Sequence, residues 1–565
     1  MYLTIGVTGH RDLVADEVPA LKEKVRSFFA QLKTEFPDLD LQLITPLAEG
    51  SDRLVTDIAL EMGVRLIVPL PMPQADYERD FSSTAAVEDF REALKNARVI
   101  NLRTLPEFQG QPMTESIRDR QYGQLGIFIS NHSQVLLALW DGKPSDATGG
   151  TSSVVNYHLT GVMSGYSVED DSPNLLAENE NDLAYHIVCS RDRPDGKPRE
   201  DLQSLQAAWI TAHWGFETGD RIPLDYQVTL NRLQDYGRDM ARYRSVIEKE
   251  GINLLENAPD LELPIGTRSI AEQHGIADWL AVHFQKRISA GLIAIHSIGV
   301  LIGLIFILYS EIDGLDFLVN IFLLAFLAGF VLYKISERRQ WHRKHLDYRA
   351  LAEGLRVQFY WSLAGVIDVQ SAEFAYDNFL QKQDVDLEWI RHVMRNVSLA
   401  RSRDNVPITA WVDWVIEQWV GDESGKTGQL SYYKRKEVEK AARFKLTTTL
   451  GRVTLWVGIL IAIILAIAGS DMSDTQQKTL LILMGIFPLI AGIRDAYSYK
   501  KAEKELIKQY RFMSGVLANA RRLLDSSDDP EFRRRVLRAL GTAALEEDAE
   551  WILMHRERPL EHTGI

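Results

Sequence analysis

Three short segments of the 565-residue chain combine glycine with side chains able to hold a small molecule. They are Thr8-Gly9-His10-Arg11, Ala48-Glu49-Gly50-Ser51-Asp52-Arg53, and Trp140-Asp141-Gly142, the last followed by Thr148-Gly149-Gly150-Thr151. Glycine lets backbone N–H groups come close to a ligand, and a helix that opens after such a turn presents its positive end to an anion. Arg11 suits the fork geometry of a phosphate. Glu49 and Asp52 suit ribose hydroxyls, as acidic residues do in dinucleotide folds. Trp140 offers a face to a base, with Asp141 and Gly142 forming the turn after it. The chemistry points to a nucleotide-derived ligand. Each piece also has a plainer role. Gly9 and Gly142 fit tight turns, Ser51 and Asp52 a helix cap, Gly149-Gly150-Thr151 a loop, and Arg11 an ion pair with Asp12. His10 reads as a neighbour of the loop rather than a base. No metal-ligand cluster or Ser-His-Asp signature accompanies them, so no catalytic residue, metal or cofactor is expected.

These segments need a scaffold, and residues 1–195 supply the pattern of one. Short apolar runs at Tyr2–Thr8, Leu41–Leu47, Leu66–Pro71, Val99–Leu102, Val135–Trp140 and Tyr185–Cys189 alternate with helix-like stretches near 18–34, 52–62, 85–97 and 117–132. Strands alternating with amphipathic helices predict a parallel sheet covered on both faces. In such sheets ligands bind beyond the carboxyl ends of the strands, which is where all three segments fall.

The second half of the chain repeats itself. Apolar runs Ile288–Tyr309 and Phe317–Tyr333 precede Tyr348-Arg349, and runs Val453–Gly469 and Leu480–Ile493 precede Tyr510-Arg511. A single shift of 162 residues superimposes the two sets. Ile288–Tyr309 has 22 residues without a charge, 13 of them Ile, Leu, Val or Phe. As a helix it reaches about 33 Å, enough for a hydrocarbon core of roughly 30 Å. Gly299 with Gly303 forms a small-xxx-small pair that lets helices pack closely in lipid. The connectors around Asp313 and Asp471 are short and acidic, while Lys286-Arg287, Arg338-Arg339, Lys434-Arg435-Lys436 and Lys500-Lys501 crowd the opposite ends. By the positive-inside rule those basic ends, and both termini, face the cytoplasm.

The fold expected is therefore α/β. A Rossmann-like parallel sheet with flanking helices comes first, then a mostly helical region with two transmembrane hairpins. The expected divisions are 1–195, a nucleotide-binding domain; 196–280, a helical connector; and 281–425 and 426–565, two membrane modules with cytoplasmic helices. The formal net charge of −15 argues against a nucleic-acid partner. The lone Cys189 excludes an intrachain disulfide and suits a reducing compartment. The chain opens directly on Leu3-Thr4-Ile5-Gly6-Val7, so no cleaved leader is expected.

Residues 1–195 resemble the SLOG superfamily, the Rossmann-like group that includes the LOG phosphoribohydrolases and the DNA-processing protein Smf/DprA. The resemblance is carried by Gly6-Val7-Thr8-Gly9-His10-Arg11, Ala48-Glu49-Gly50-Ser51-Asp52-Arg53-Leu54, and Leu137–Gly142 with Gly149-Gly150-Thr151. The membrane modules resemble SLATT domains, through Tyr348-Arg349-Ala350-Leu351-Ala352-Glu353-Gly354-Leu355-Arg356 and the degenerate Tyr510-Arg511 helix. The resemblance implies a sensor of nucleotide-derived signals joined to a membrane effector of bacterial antiphage defence. Such an effector sits in the inner membrane, assembles as a homo-oligomer and permeabilises the bilayer. The LOG signature ends in a catalytic acid, whereas Gly149-Gly150-Thr151-Ser152-Ser153-Val154 has none in that register. This favours binding over turnover. The alternative is a membrane-tethered hydrolase of the LOG type, with Glu49 or Asp52 as acid or base.

The two-hairpin topology makes a direct prediction. In a Cys189→Ser background, an impermeant thiol reagent applied to intact cells should label Gly314→Cys and Ser473→Cys but spare Lys436→Cys. Labelling at Lys436→Cys would overturn the arrangement.

Overall fold

A computed structural model of the chain describes residues 1–565 apart from 146, 164–182, 213–216, 257, 265, 368–378, 380–386, 400–408, 423–424, 426–427 and 557–565. It divides into two compact units, Met1–Gln273 with Gly354–Val406, and His274–Glu353 with Pro407–Ile565.

The first unit is built on an eight-stranded sheet. Its strands are β1 (Tyr2–Gly9), β2 (Asp40–Ile44), β3 (Arg65–Leu70), β4 (Arg98–Asn101), β5 (Val135–Trp140), β6 (Ala184–Val188), β7 (Ala207–Thr211) and β8 (Glu217–Gly219). They lie in the order β4-β3-β2-β1-β5-β6-β7-β8. The first six are parallel, and β7 and β8 are antiparallel to their neighbours. The helices of this part are α1 (Val18–Glu35), α2 (Ser51–Glu61), α3 (Gln74–Tyr77), α4 (Thr84–Lys95), α5 (Glu115–Asn131) and α6 (Thr151–Thr160), followed by α7 (Leu224–Glu250). Leu3, Ile5 and Val7 of β1 and Leu136 through Leu139 of β5 are buried, as continuous apolar runs between two helical layers must be.

Two features depart from the expected plan. The first is that the 196–280 stretch is not wholly helical, because β7 and β8 extend the sheet into it. The five residues of β7 carry no long alternation. They are held by Trp209, which is buried against Phe28 (ring centroids 5.8 Å) and Tyr185 (4.9 Å), contacts invisible in a local window. The second is that the chain returns to the sheet unit after the first membrane hairpin. There α11 (Glu388–Ser398) sets Trp389 5.4 Å from Tyr236 of α7, and Thr4 of β1 donates to Asn396 at 3.1 Å.

Among the described residues, four helices are long and apolar enough to cross a membrane. They fall within α8 (Thr267–Glu311), α9 (Leu318–Arg339) with its continuation α10 (Trp341–Ala364), and, after α12 (Thr409–Val415), α13 (Gln429–Ala468) and α14 (Asp474–Lys500). The chain ends in α15 (Glu503–Asp525) and α16 (Pro530–Arg556). At 45 residues α8 runs about 68 Å, more than twice a hydrocarbon core.

The internal repeat reaches into the backbone. The shift of 162 carries Thr267, where α8 opens, onto Gln429, where α13 opens, and carries Trp341 of α10 onto Glu503 of α15. Between the helices Gln340 has φ +49 and Ala502 has φ +47, both left-handed and again 162 apart. A non-glycine residue there costs roughly 1–3 kcal/mol, so an elbow kept twice is a designed feature of the hairpin. Small residues let the helices pack closely, both within the second hairpin and between the two hairpins. A side chain at Gly458 would stand 2.8 Å from the Pro488 ring, and one at Gly485 would stand 2.9 Å from Ile307. Gly303 faces Leu489, as its small-residue spacing predicts.

Candidate functional site

Strand order reverses at β1, with β2 on one side and β5 on the other. A cavity of about 740 Å³ opens beyond the carboxyl ends of β1 and β5. Nine of the twelve candidate residues line it: Gly9, His10, Arg11, Asp52, Trp140, Asp141, Gly149, Gly150 and Thr151.

The other three stand behind the wall. Gly50 has φ +80, and a side chain there would meet the Arg11 backbone, so the β2–α2 turn closes against the β1–α1 loop only through glycine. Gly142 has φ +79 and packs on Leu202. Glu49 accepts from the Ser82 hydroxyl at 2.7 Å and its amide at 3.2 Å, which ties the turn to the loop before α4. Its carboxylate is thus committed to the scaffold.

The loop after β1 is fixed from several sides. The His10 carbonyl accepts from the Ser51 amide at 3.0 Å and the Ser51 hydroxyl at 2.8 Å. A side chain at Gly9 would collide with Ser51, so the strand and α2 approach as closely as they do because position 9 has none. The His10 ring lies with Nε2 3.1 Å from both the amide nitrogen and Oδ1 of the buried Asp141. Burial lowers the ring's pKa, against the pull of Asp141 and with the help of Arg191. The shift favours the neutral ring, and its bond to the Asp141 amide ties the loop after β1 to the end of β5. Asp141 also accepts the Lys143 amide at 3.0 Å.

Arg11 is left facing the cavity. Its neighbour Asp12 takes Arg191 at 2.8 Å, which removes the ion pair that sequence proximity had offered. Arg11 is ringed by protein yet open to the cavity, 5.9 Å from the centre of the Tyr122 ring. Burial opposes its charge, but the Tyr122 and Tyr77 hydroxyls and Asp52 outweigh this and keep it cationic. Tyr122 donates to Asp80, which also pairs with Arg118. Burial and that hydrogen bond push its phenol up to about 12, so it stays a donor.

Opposite stands the start of α6. Gly149 has φ +72, and a side chain would come within 2.6 Å of the Tyr122 backbone. Gly150 caps the helix without a side-chain acceptor. Among the described residues, the first-turn amides of Thr151, Ser152 and Ser153 have no hydrogen-bond partner. Such amides at the positive end of a helix form a cradle for an anion. Trp140 donates from Nε1 to the Lys143 carbonyl at 3.1 Å and packs 5.4 Å from His186, presenting part of its face to the cavity.

Asp52 lies on the cavity wall, almost wholly buried, and accepts the Ala48 amide at 3.3 Å. Burial pushes its carboxyl up to about 7, against the Ala48 amide, Arg11 and Thr45. It exchanges a proton near neutrality, beside the one guanidinium that faces the cavity from the β1 loop. Tyr77, Tyr122, Lys143, Arg191 and Arg193 line the same space and carry no sequence motif. Only Lys143, directly after Gly142, stood next to a segment legible as a site. Among the described residues no cluster of His, Cys, Asp or Glu could hold a metal. No family model, curated protein or solved structure matches the chain.

The raised pKa of Asp52 fixes the sign of a pH effect. The folded state holds this proton more tightly than the unfolded chain. The stabilisation is complete below about pH 4 and is lost as pH rises to about 7. The loss runs at roughly 1.4 kcal/mol per pH unit across the window. Thermal midpoints of the solubilised protein should therefore fall from pH 5 to pH 7 more steeply for the wild type than for Asp52→Asn. Parallel curves would show that Asp52 carries no such shift.

Proposed function

We propose that the cavity binds a nucleotide-like anion and that occupancy controls the state of the membrane helices. The observation that carries this reading is the pairing of cationic Arg11 with the unoccupied amides of α6 at a sheet switch point, beside the aromatic faces of Trp140 and Tyr122. These groups match a phosphate and a base. Four membrane-capable helices in the same chain match an effector rather than a free enzyme. The residue segments that resemble SLOG and SLATT support the same pairing. On this reading the protein lies in the bacterial inner membrane with both termini cytoplasmic, assembles as a homo-oligomer, and permeabilises the bilayer in antiphage defence. Four helices per chain require several copies to enclose a channel.

One observation favours a second reading. Asp52, titrating near neutrality on the cavity wall, is placed for general acid or base chemistry on a bound nucleotide. Glu49, held by Ser82, is not. Turnover of the bound ligand, lost in Asp52→Asn, would select this hydrolase.

Calorimetry on the full-length protein with a panel of ADP-ribose-like and cyclic nucleotides tests the binding reading. Arg11→Ala should weaken the ligand found by about ten- to hundredfold, the worth of a charge-assisted hydrogen bond. Glu49→Ala should leave it within about threefold. Equal affinity in the wild type and Arg11→Ala would place the site elsewhere.

A further inference from the structure

The two elbows of the repeat are not chemically alike. At the second, Lys440 and Arg443 of α13 converge with Lys501 at the end of α14 on a cavity of about 40 Å³, completed by Glu503 and Leu506. A single water takes roughly 10–15 Å³ by the same measure, so the space admits a phosphate-sized group. Among the described residues none of the three cations forms an ion pair. Glu503, the one acid at the site, accepts from Ser498 at 2.8 Å. Burial lowers the pKa of Lys440, and Lys501, Arg443 and Lys436 lower it further. The Lys501 ammonium lies 4.8 Å from the centre of the Tyr497 ring. The positive end of α15 opens at Glu503, capped by Ala502 without a side-chain acceptor.

The first copy shows that the elbow does not need these charges. The shift of 162 places Asp278, Ala281 and Arg339 where the second copy has Lys440, Arg443 and Lys501. Asp278 pairs with Arg349 at 3.5 Å, and the Ala281 carbonyl bonds His345 at 3.1 Å. The same left-handed turn forms there with an acid and an alanine in place of two cations. Like charges gathered without compensation cost free energy, and an anion offsets that cost.

Position says which anion. The run Leu480–Ile493 has 14 residues, about 21 Å as a helix, against a core of roughly 30 Å. Arg494 and Asp495 end the apolar run, so Lys501, eight residues past Ile493, stands about 12 Å beyond the core and about 6 Å outside the headgroup layer. A lysine stem spans the second distance. We propose that this elbow is a binding site for a phosphate anion, supplied by the headgroup of an acidic phospholipid.

Native mass spectrometry of the full-length protein, titrated with phosphatidylglycerol or phosphatidylcholine, tests this. The wild type should retain phosphatidylglycerol selectively. Lys440→Gln/Arg443→Gln/Lys501→Gln should weaken it about fivefold per charge, roughly a hundredfold in all. Lys440→Arg/Lys501→Arg should retain it, as should the first-copy control Lys286→Gln/Arg287→Gln/Arg339→Gln. Lys501→Gln alone should cost about fivefold and serves if the triple variant fails to fold. Inorganic phosphate that binds without lipid, and with the same residue dependence, would keep the anion site and make free phosphate its source. Retention unchanged in a folded triple variant, or an equal loss in the first-copy control, would overturn the proposal.

Discussion

Ser51 gives both its amide and its hydroxyl proton to the carbonyl of His10, and the candidate site depends on that clamp. It draws the start of α2 onto the loop after β1, which is possible only because positions 9 and 50 lack side chains. With the loop fixed, His10 reaches Asp141 after β5, and the ends of two adjacent strands become one wall. Asp12 is paired with Arg191, so that Arg11, which lines the cavity beside it, is not neutralised by its sequence neighbour. Asp52, one residue beyond Ser51, is carried into a dry position where its carboxyl holds a proton near neutrality. A larger residue at position 9 would undo each of these in turn.

The membrane unit is organised around an internal repeat. Both copies keep the long first helix, the hairpin and the left-handed elbow, at a constant offset of 162 residues. Lipid imposes that economy, since a backbone within it must satisfy its own hydrogen bonds as helix. The copies part in their charges. Arg349 pairs with Asp278 and Glu353 in the first, whereas the exposed Arg511 pairs with Glu437 at 2.8 Å in the second. The two copies share the backbone that forms the hairpin and differ in the charges around it.

The sequence was most legible where a periodic signal is long or a glycine is obligatory. Six strands, four membrane-capable helices and nine cavity residues were read from apolar runs and from turns such as Thr8-Gly9-His10-Arg11. Illegible were groups that arrive by tertiary contact. Tyr122 reaches the cavity from the middle of α5, and Arg191 from beyond β6, with no local mark of either. Strand β7 is held by Trp209 against Phe28, nearly the length of the domain away in sequence. Glu49 had the right type at the right turn, but Ser82 claims it.

A ligand can shift a membrane assembly only by binding its two states unequally. Passing from mostly closed to mostly open takes roughly 5.5 kcal/mol summed over the bound copies. The most direct measurement is efflux from dye-loaded liposomes containing the purified full-length protein, with and without a nucleotide first shown by calorimetry to bind it. The account predicts that vesicles stay tight without ligand and leak with it, and that Arg11→Ala vesicles stay tight in both conditions. Wild-type vesicles that remain tight at saturating ligand, in correctly oriented protein, would contradict it.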